Sequence, residues 1–191
     1  VLHTKELFGV PARLLSGTAK GLDLLVLDAP SLFDRPGNPY LGEDGKDWFD
    51  NPIRFAALSY VAAEIGGGLL KDYQPDVLHA HDWQTALTPV YVRYKGYPVK
   101  TVLTVHNMAY QGHFDAAVFQ HLNLPSEAFH IDGVEYYGGV GYLKGGLNNA
   151  DAITTVSPRY VDEICTPEGG MGLDGVLRAR KHLMRGIVNG V

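Results

Sequence analysis

Short apolar runs and longer stretches of helical periodicity alternate along most of this chain. The short runs are rich in β-branched residues and predict strands: "DVLHAH", "VKTVLTVH", "DAITTVS" and "LMRGIVNG". The stretches between them predict helices: "WQTALTPVYVRYKG", "DAAVFQHL", "GYLKGGLNNA", "PRYVDEIC" and "LDGVLRARKH". Strands that are apolar on both faces belong in parallel sheets covered by helices. From Pro75 onward the pattern therefore predicts an α/β fold with a doubly wound, mainly parallel sheet.

The first third of the chain has a different pattern. "ARLLSG" and "GLDLLVLDAP" predict two short strands joined by a turn at residues 18–21, the second strand ending at Asp28. A loop rich in Pro and Gly follows, over residues 30–50. Asn51 as a cap and Pro52 as the first helical residue predict a helix that ends where Gly66 begins a run of three glycines.

Hydrogen-bonding side chains follow the predicted strands of the second region. They are His81, Asp82 and Trp83 after the first of these strands, His106 and Asn107 after the second, Ser157 after the third and Asn189 in the last. The carboxyl ends of parallel strands meet at one edge, so these side chains predict one polar cleft. Mixed donors and acceptors beside aromatic rings suit a polyhydroxylated ligand.

Simpler interpretations stand beside that hypothesis. A single histidine at a strand end is more often a satisfied structural residue, although two of them, each followed by Asp or Asn, favour a function. Asn189 before Gly190 suits a turn, and Ser157 before a proline suits a helix cap. Tyr40 in "GNPYLG" suits a loop residue that packs on the surface.

Two further motifs suggest other classes of protein. His79 and His81 lie on the same face of a strand, as in metal-dependent hydrolases, but no third ligand stands at a recognisable spacing, so this is a distant second hypothesis. "GMGLDG" matches the letters of a dinucleotide-binding loop. Because it follows a helix and not a strand, we interpret it as a flexible loop that leads into a helix.

The composition of the chain excludes several classes of partner. The formal net charge is -5 with basic and acidic residues interleaved, so no basic stripe is available for nucleic acid. Cys165 is the single cysteine, which excludes an internal disulfide and favours a reducing compartment, so we expect a cytoplasmic protein. The sequence has no apolar run of about 18 residues, so we expect no membrane partner. We expect neither a metal nor a cofactor.

Several motifs together resemble bacterial glycogen synthases, which are related to plant starch synthases. They are "DAPSLFDRPGNPY", "HAHDWQTALTP", "TVHNMAYQG", "LKGGLNNADAITTVSPRYVDEI", "GGMGLDGVL" and "GIVNGV", in this order. The resemblance implies a GT-B glycosyltransferase with two Rossmann-like domains and an active site between them. It also implies retaining transfer of glucose from ADP-glucose to the non-reducing 4-hydroxyl end of an α-1,4-glucan.

The same resemblance implies roles for individual residues. His106 would be catalytic and would contact the donor glucose near its 6-hydroxyl, with Asn107 and Asn189 as further donor-sugar contacts. Tyr40, Asp82 and Trp83 would line the side of the acceptor glucan.

Parts of the family pattern are missing from the sequence. Neither its Lys-Thr-Gly-Gly loop nor the second domain with its phosphate-binding Arg and Lys occurs here. We therefore expect residues 1–191 to be a partial N-terminal, acceptor-side domain without the C-terminal nucleotide-binding domain. The isolated chain should be inactive, and its incomplete sheet should favour association. A catalytically silent glucan-binding fragment is the alternative.

Overall fold

A computed structural model describes residues 1–190. The strands are β1 His3–Leu7, β2 Val10–Ala19, β3 Leu22–Asp28, β4 Val77–His81, β5 Lys100–Val105, β6 His113–Phe114, β7 Glu135–Tyr136, β8 Gly139–Gly141, β9 Ala152–Thr155 and β10 Met184–Gly186. The helices are α1 Pro30–Phe33, α2 Asn51–Gly66, α3 Asp82–Thr85, α4 Leu87–Lys95, α5 Tyr142–Asn149, α6 Pro158–Glu163, α7 Pro167–Gly170 and α8 Asp174–Arg180. Short 3₁₀ helices span Ala116–His121, Ser126–Ala128 and Lys181–Leu183.

The predicted parallel sheet is confirmed. Its order within residues 1–190 is β10-β9-β5-β4, and every neighbouring pair is parallel. Strand order that follows chain order in one direction places right-handed crossovers on one face. Leu103, Val105 and Ile153 are accordingly fully buried on that face, in a core shared with α5 and α8. No reversal of strand order, which a doubly wound sheet needs, occurs among residues 1–190.

A separate antiparallel sheet begins the chain, with the order β1-β2-β3. The sequence predicted β2 and β3 and the turn between them, where Lys20 and Gly21 adopt positive φ angles of 51° and 80°. It did not predict β1, because in "HTKEL" only Leu7 is buried and the alternation is too short to stand out. The edge strand β3 leaves Leu22 and Val26 exposed, at 66% and 44%.

Two helix predictions need correction. Helix α2 ends at Gly66 as predicted, but its N-cap is Asp50, because the Asn51 side chain is engaged by other partners. The predicted helix over residues 83–96 starts one residue earlier and is divided at Ala86. Pro89 falls in the first turn of α4, where its missing N–H is tolerated.

Two further predictions fail near loops. The predicted helix over residues 115–122 is a 3₁₀ helix, which the Asp115 carboxylate caps by accepting from the Ala117 N–H at 2.8 Å. The last strand ends at Gly186, well before Gly190. "GMGLDG" leads into α8 as predicted, but Gly170 ends α7, so the loop is only the three residues 171–173. Among residues 1–190, no helix combines the length and the apolarity that crossing a bilayer requires.

Candidate functional site

The carboxyl edge of the parallel sheet brings the predicted residues of β4 and β5 together. Asp82 follows β4 and His106 follows β5, and the His106 N–H donates to Oδ1 of Asp82 at 2.7 Å. Nδ1 of His81 lies 3.1 Å from Nε2 of His106. His81 and His106 are both exposed at this edge. A ligand above the sheet can therefore reach two imidazoles and a carboxylate at once.

Asp82 has an uncommon backbone conformation. Its φ of 54° lies in the left-handed region, which costs about 1–2 kcal/mol for a residue with a side chain. Aspartate tolerates this region better than most residues. The turn after His81 is fixed by Thr85, whose Oγ1 accepts from the His81 N–H at 2.6 Å and donates to the His81 carbonyl at 2.8 Å. In this strained backbone conformation the carboxylate of Asp82 accepts from the backbone N–H of His106.

A row of polar side chains lies on the sheet face opposite the core. The rings of His79 and His81 stack with centroids 4.3 Å apart, which confirms that they share a face. Nε2 of His79 lies 2.6 Å from Oγ1 of Thr104, which in turn lies 2.5 Å from Oγ1 of Thr154. Burial lowers the pKa of His81 from its ordinary value, and the nearby imidazoles of His79 and His106 act in the same direction.

This row does not support the metal-hydrolase hypothesis. Within residues 1–190, no group of three His, Cys, Asp or Glu side chains is placed to hold a metal ion. The facing rings of His79 and His81 stack instead of converging on a common point, and Nε2 of His79 already faces a threonine hydroxyl.

Aromatic side chains form the other half of the site. Trp83, half-buried at the start of α3, lies with its ring centroid 6.4 Å from that of Tyr40 and 4.8 Å from that of Phe55. The Tyr40 hydroxyl accepts from Nε2 of Gln84 at 3.0 Å. Gly112 has a φ of 61°, and a Cβ there would lie 2.5 Å from the Trp83 ring. Glycine at this position therefore lets the loop after β5 lie against the indole.

A buried arginine fastens the loop that carries Tyr40. Arg54 on α2 is 4% exposed and donates to the carbonyls of Leu32 at 2.6 Å and Pro39 at 3.0 Å. It also donates to Oδ1 of Asn51 at 2.6 Å, and Nδ2 of Asn51 donates to the Tyr40 carbonyl at 2.9 Å. Burial lowers the pKa of the Arg54 guanidinium from its ordinary value.

The remaining predicted residues are less closely placed. Asn107 follows His106, but its Oδ1 accepts from the Ala109 N–H at 2.9 Å and shapes its own loop. Asn189 is exposed and lies three residues past the end of β10, so the prediction that it ends a strand is wrong. Ser157 caps α6 by accepting from the Tyr160 N–H at 3.0 Å. The simpler interpretation of Ser157 is thus the correct one.

Two residues of this site were missed by sequence reasoning. Gln84 gave no signal, because a polar residue in the first turn of a helix is ordinary. Arg54 did give one, since it is a lone cation in the otherwise apolar helix "NPIRFAALSY".

The sequence of this chain is similar to that of known glucan synthases. The family described as the starch synthase catalytic domain matches residues 2–179. A glycogen synthase from Rhodopseudomonas palustris is 60% identical over 187 residues, and one from Rhizobium etli is 58% identical over 191 residues. The alignments cover 97% and 100% of this chain but 39% and 40% of those proteins. The chain therefore spans about two fifths of the length of the curated relatives it matches.

A solved structure has the same fold. It is the catalytic domain of starch synthase IV from Arabidopsis thaliana bound to ADP and acarbose, with a TM-score of 0.82 and 29% sequence identity. The match covers 98% of this chain and 39% of that one. The expected α/β, Rossmann-like fold of a GT-B glycosyltransferase is confirmed.

Proposed function

The chain belongs to the starch synthase catalytic domain family, and from that premise we propose that residues 1–191 form the acceptor-side part of a glycogen synthase. The complete enzyme would transfer glucose from ADP-glucose to the non-reducing 4-hydroxyl end of an α-1,4-glucan, with retention of configuration. Its nucleotide-binding domain would lie outside this chain. We place the enzyme in the cytoplasm, which suits the single cysteine of this chain, Cys165, which is free and buried.

The observation that carries the proposal is the pairing of His106 with an aromatic wall. His106 stands at the sheet edge with its backbone held by Asp82, while Trp83, the next residue after Asp82, meets Tyr40 at a centroid distance of 6.4 Å. An imidazole can donate to or accept from a sugar hydroxyl, and aromatic rings pack against the apolar faces of sugars. The two halves suit two adjacent sugars, one on each side of Asp82.

We assign His106 to the 6-hydroxyl of the donor glucose and Tyr40 and Trp83 to the acceptor glucan. A carboxylate accepts at two oxygens. Oδ1 of Asp82 can therefore hold the His106 N–H while Oδ2 accepts from an acceptor hydroxyl. Asn107 and Asn189 are proposed as further donor-sugar contacts.

In the proposed transfer, the main task of this chain is to position the two sugars. In a retaining transfer on one face, the leaving phosphate takes up the proton of the attacking hydroxyl, so the protein must align the sugars and stabilise charge. Two side chains of the site match that demand, because each is fixed by a neighbour: Asp82 at the sheet edge by the His106 N–H, and Tyr40 in its loop by Gln84.

A catalytically silent glucan-binding fragment is the second candidate. Its support is the aromatic wall of Tyr40, Phe55 and Trp83, which can pack against a sugar without any transfer step. Binding of glucan without transfer, in the full-length parent protein, would select this alternative.

The test has two parts. Titration of the chain with maltohexaose should change tryptophan fluorescence, and the change should persist in Trp48→Phe but disappear in Trp83→Phe. The full-length parent should transfer labelled glucose from ADP-glucose to maltohexaose, whereas the 191-residue chain alone should not. Failure of the full-length protein to transfer glucose, or turnover by the isolated chain, would overturn the proposal.

A further inference from the structure

A direct contact joins two histidines that lie 25 residues apart in the sequence. Nδ1 of His81 faces Nε2 of His106 at 3.1 Å, and the two rings are inclined by only 31° with centroids 5.4 Å apart. Two imidazole nitrogens at this distance form a hydrogen bond when one proton lies between them. With a proton on each nitrogen, the N–H groups would point at each other.

His81 is itself held on several sides. Its backbone is fixed by Thr85, as described above, and its ring is stacked on His79. His79 is in turn anchored to the Thr104 hydroxyl at 2.6 Å. His81 therefore offers His106 a fixed partner and not a mobile one.

His106 is held at two points, by His81 at the end of β4 and by Asp82 at the start of α3. Asp82 accepts from its backbone N–H at 2.7 Å, which fixes the main chain, and His81 contacts Nε2, which fixes the ring. We propose that His81 is a positioning residue that sets the orientation and the protonated nitrogen of His106. This inference rests on the proposed function, in which His106 contacts the donor glucose.

The consequence concerns Nδ1, the second nitrogen of His106. When Nε2 of a neutral His106 donates its proton to His81, Nδ1 is left as an acceptor for a sugar hydroxyl, and the reverse placement makes Nδ1 a donor. The charged and titratable groups around His81 are His79, Asp82 and His106. His79 and His106 disfavour a charge on His81, whereas Asp82 favours one. The 3.1 Å separation of the two ring nitrogens is what a single shared proton requires.

The test is a double-mutant cycle in the full-length parent enzyme. His81→Phe keeps an aromatic ring for stacking but removes the hydrogen bond, and it should lower kcat by about 5- to 20-fold while KM for maltohexaose stays within about twofold. His81→Asn can still place a polar atom near Nε2 of His106 and should lose less. In a His106→Ala background, His81→Phe should cause no further loss.

Equal losses from His81→Phe in both backgrounds, or equal losses for Phe and Asn, would overturn the inference. Thermal unfolding of each variant shows that the loss is not a loss of fold. If His106→Ala itself leaves kcat unchanged, the proposed donor contact fails and this inference fails with it. If His106→Ala lowers kcat but the effects of His81→Phe and His106→Ala are additive, the donor contact of His106 stands and only the positioning role of His81 fails.

A second measurement does not depend on activity. In the ¹⁵N-labelled 191-residue chain, imidazole nitrogen shifts should show one proton shared between Nδ1 of His81 and Nε2 of His106 at neutral pH. Protons on both facing nitrogens, or on neither, would contradict the proposal even if every variant folded poorly.

Discussion

The two halves of the proposed site are built in different ways. His81, Asp82 and His106 stand at the ends of neighbouring strands, whose ladder pairs His81 with Thr104 in register. Tyr40 lies in a loop, and its position depends on the buried side chain of Arg54 and on Asn51. His106 of the donor half is thus placed by a strand ladder, whereas Tyr40 of the acceptor half is placed by one fastened loop.

The two halves should therefore respond differently to a single substitution. A strand ladder distributes its stability over many bonds, so a single substitution at the edge should change chemistry more than structure. Arg54 concentrates several bonds in one cation, which donates to two carbonyls and one side-chain oxygen. Loss of that cation leaves buried acceptors without donors, so it should change structure first.

The largest expected effect on activity tests the donor half. In the full-length parent, His106→Ala should lower kcat by about 100-fold, because it removes a preorganised contact to the reacting sugar. The KM for maltohexaose should change little, since the acceptor half is untouched. Steady-state kinetics of glucose transfer measure both quantities. A rise in KM without a fall in kcat would reverse the assignment of the two halves.

The next effect tests the acceptor half through Arg54, which holds the loop that carries Tyr40. Arg54→Met should lower the free energy of unfolding by about 2–4 kcal/mol, because three oxygens lose a charged donor. Urea unfolding of the 191-residue chain measures this change. Arg159→Met is the matched control, since Arg159 is exposed, and it should change the stability by less than about 0.5 kcal/mol. Equal effects of the two substitutions would show that Arg54 fastens nothing.

A smaller effect concerns the ring of Tyr40 itself. Tyr40→Ala should raise the KM for maltohexaose by about tenfold and leave kcat nearly unchanged, because about 1.4 kcal/mol of acceptor packing is lost. Tyr40→Phe removes only the hydroxyl that accepts from Gln84 and should have a smaller effect. Loss of kcat in Tyr40→Ala at saturating glucan would contradict the division into halves.

The smallest effect is a pH dependence at the sheet edge. Burial and the neighbouring imidazoles lower the pKa of His81 below 6.5, so the unfolded chain binds its proton more tightly than the folded one. Stability from this group is therefore lost as the pH falls below about 6.5. The unfolding temperature should drop between pH 7.5 and pH 5.5, and it should drop less in His81→Asn. An identical drop in both proteins would contradict this coupling.

A further expectation concerns β3, the edge strand of the antiparallel sheet that begins the chain. Leu22 and Val26 are exposed on it, at 66% and 44%, so the isolated chain has an apolar edge that favours association. Sedimentation of the 191-residue chain should show oligomers that Val26→Lys reduces. A monodisperse monomer at all concentrations would contradict the expectation.

Periodicity determined much of this protein without any tertiary information. The apolar runs fixed the strands of the parallel sheet, and parallel pairing then required the polar residues after β4 and β5 to meet at one edge. Asp82 and His106 could be grouped on that basis alone. The antiparallel strand β1 escaped prediction because its alternation is too short to be recognised. The last strand was predicted too long because Ile187 and Val188 continue its apolar run beyond Gly186.

Only the tertiary structure decided which side chains touch. The His81–His106 contact, the left-handed backbone of Asp82 and the bond from Gln84 to Tyr40, 44 residues away, depend on how loops and helices pack. Local pattern sets which face or edge a residue occupies, because that follows from the repeat of the strand or helix. It does not set distances between residues of different elements, since many packings satisfy the same pattern.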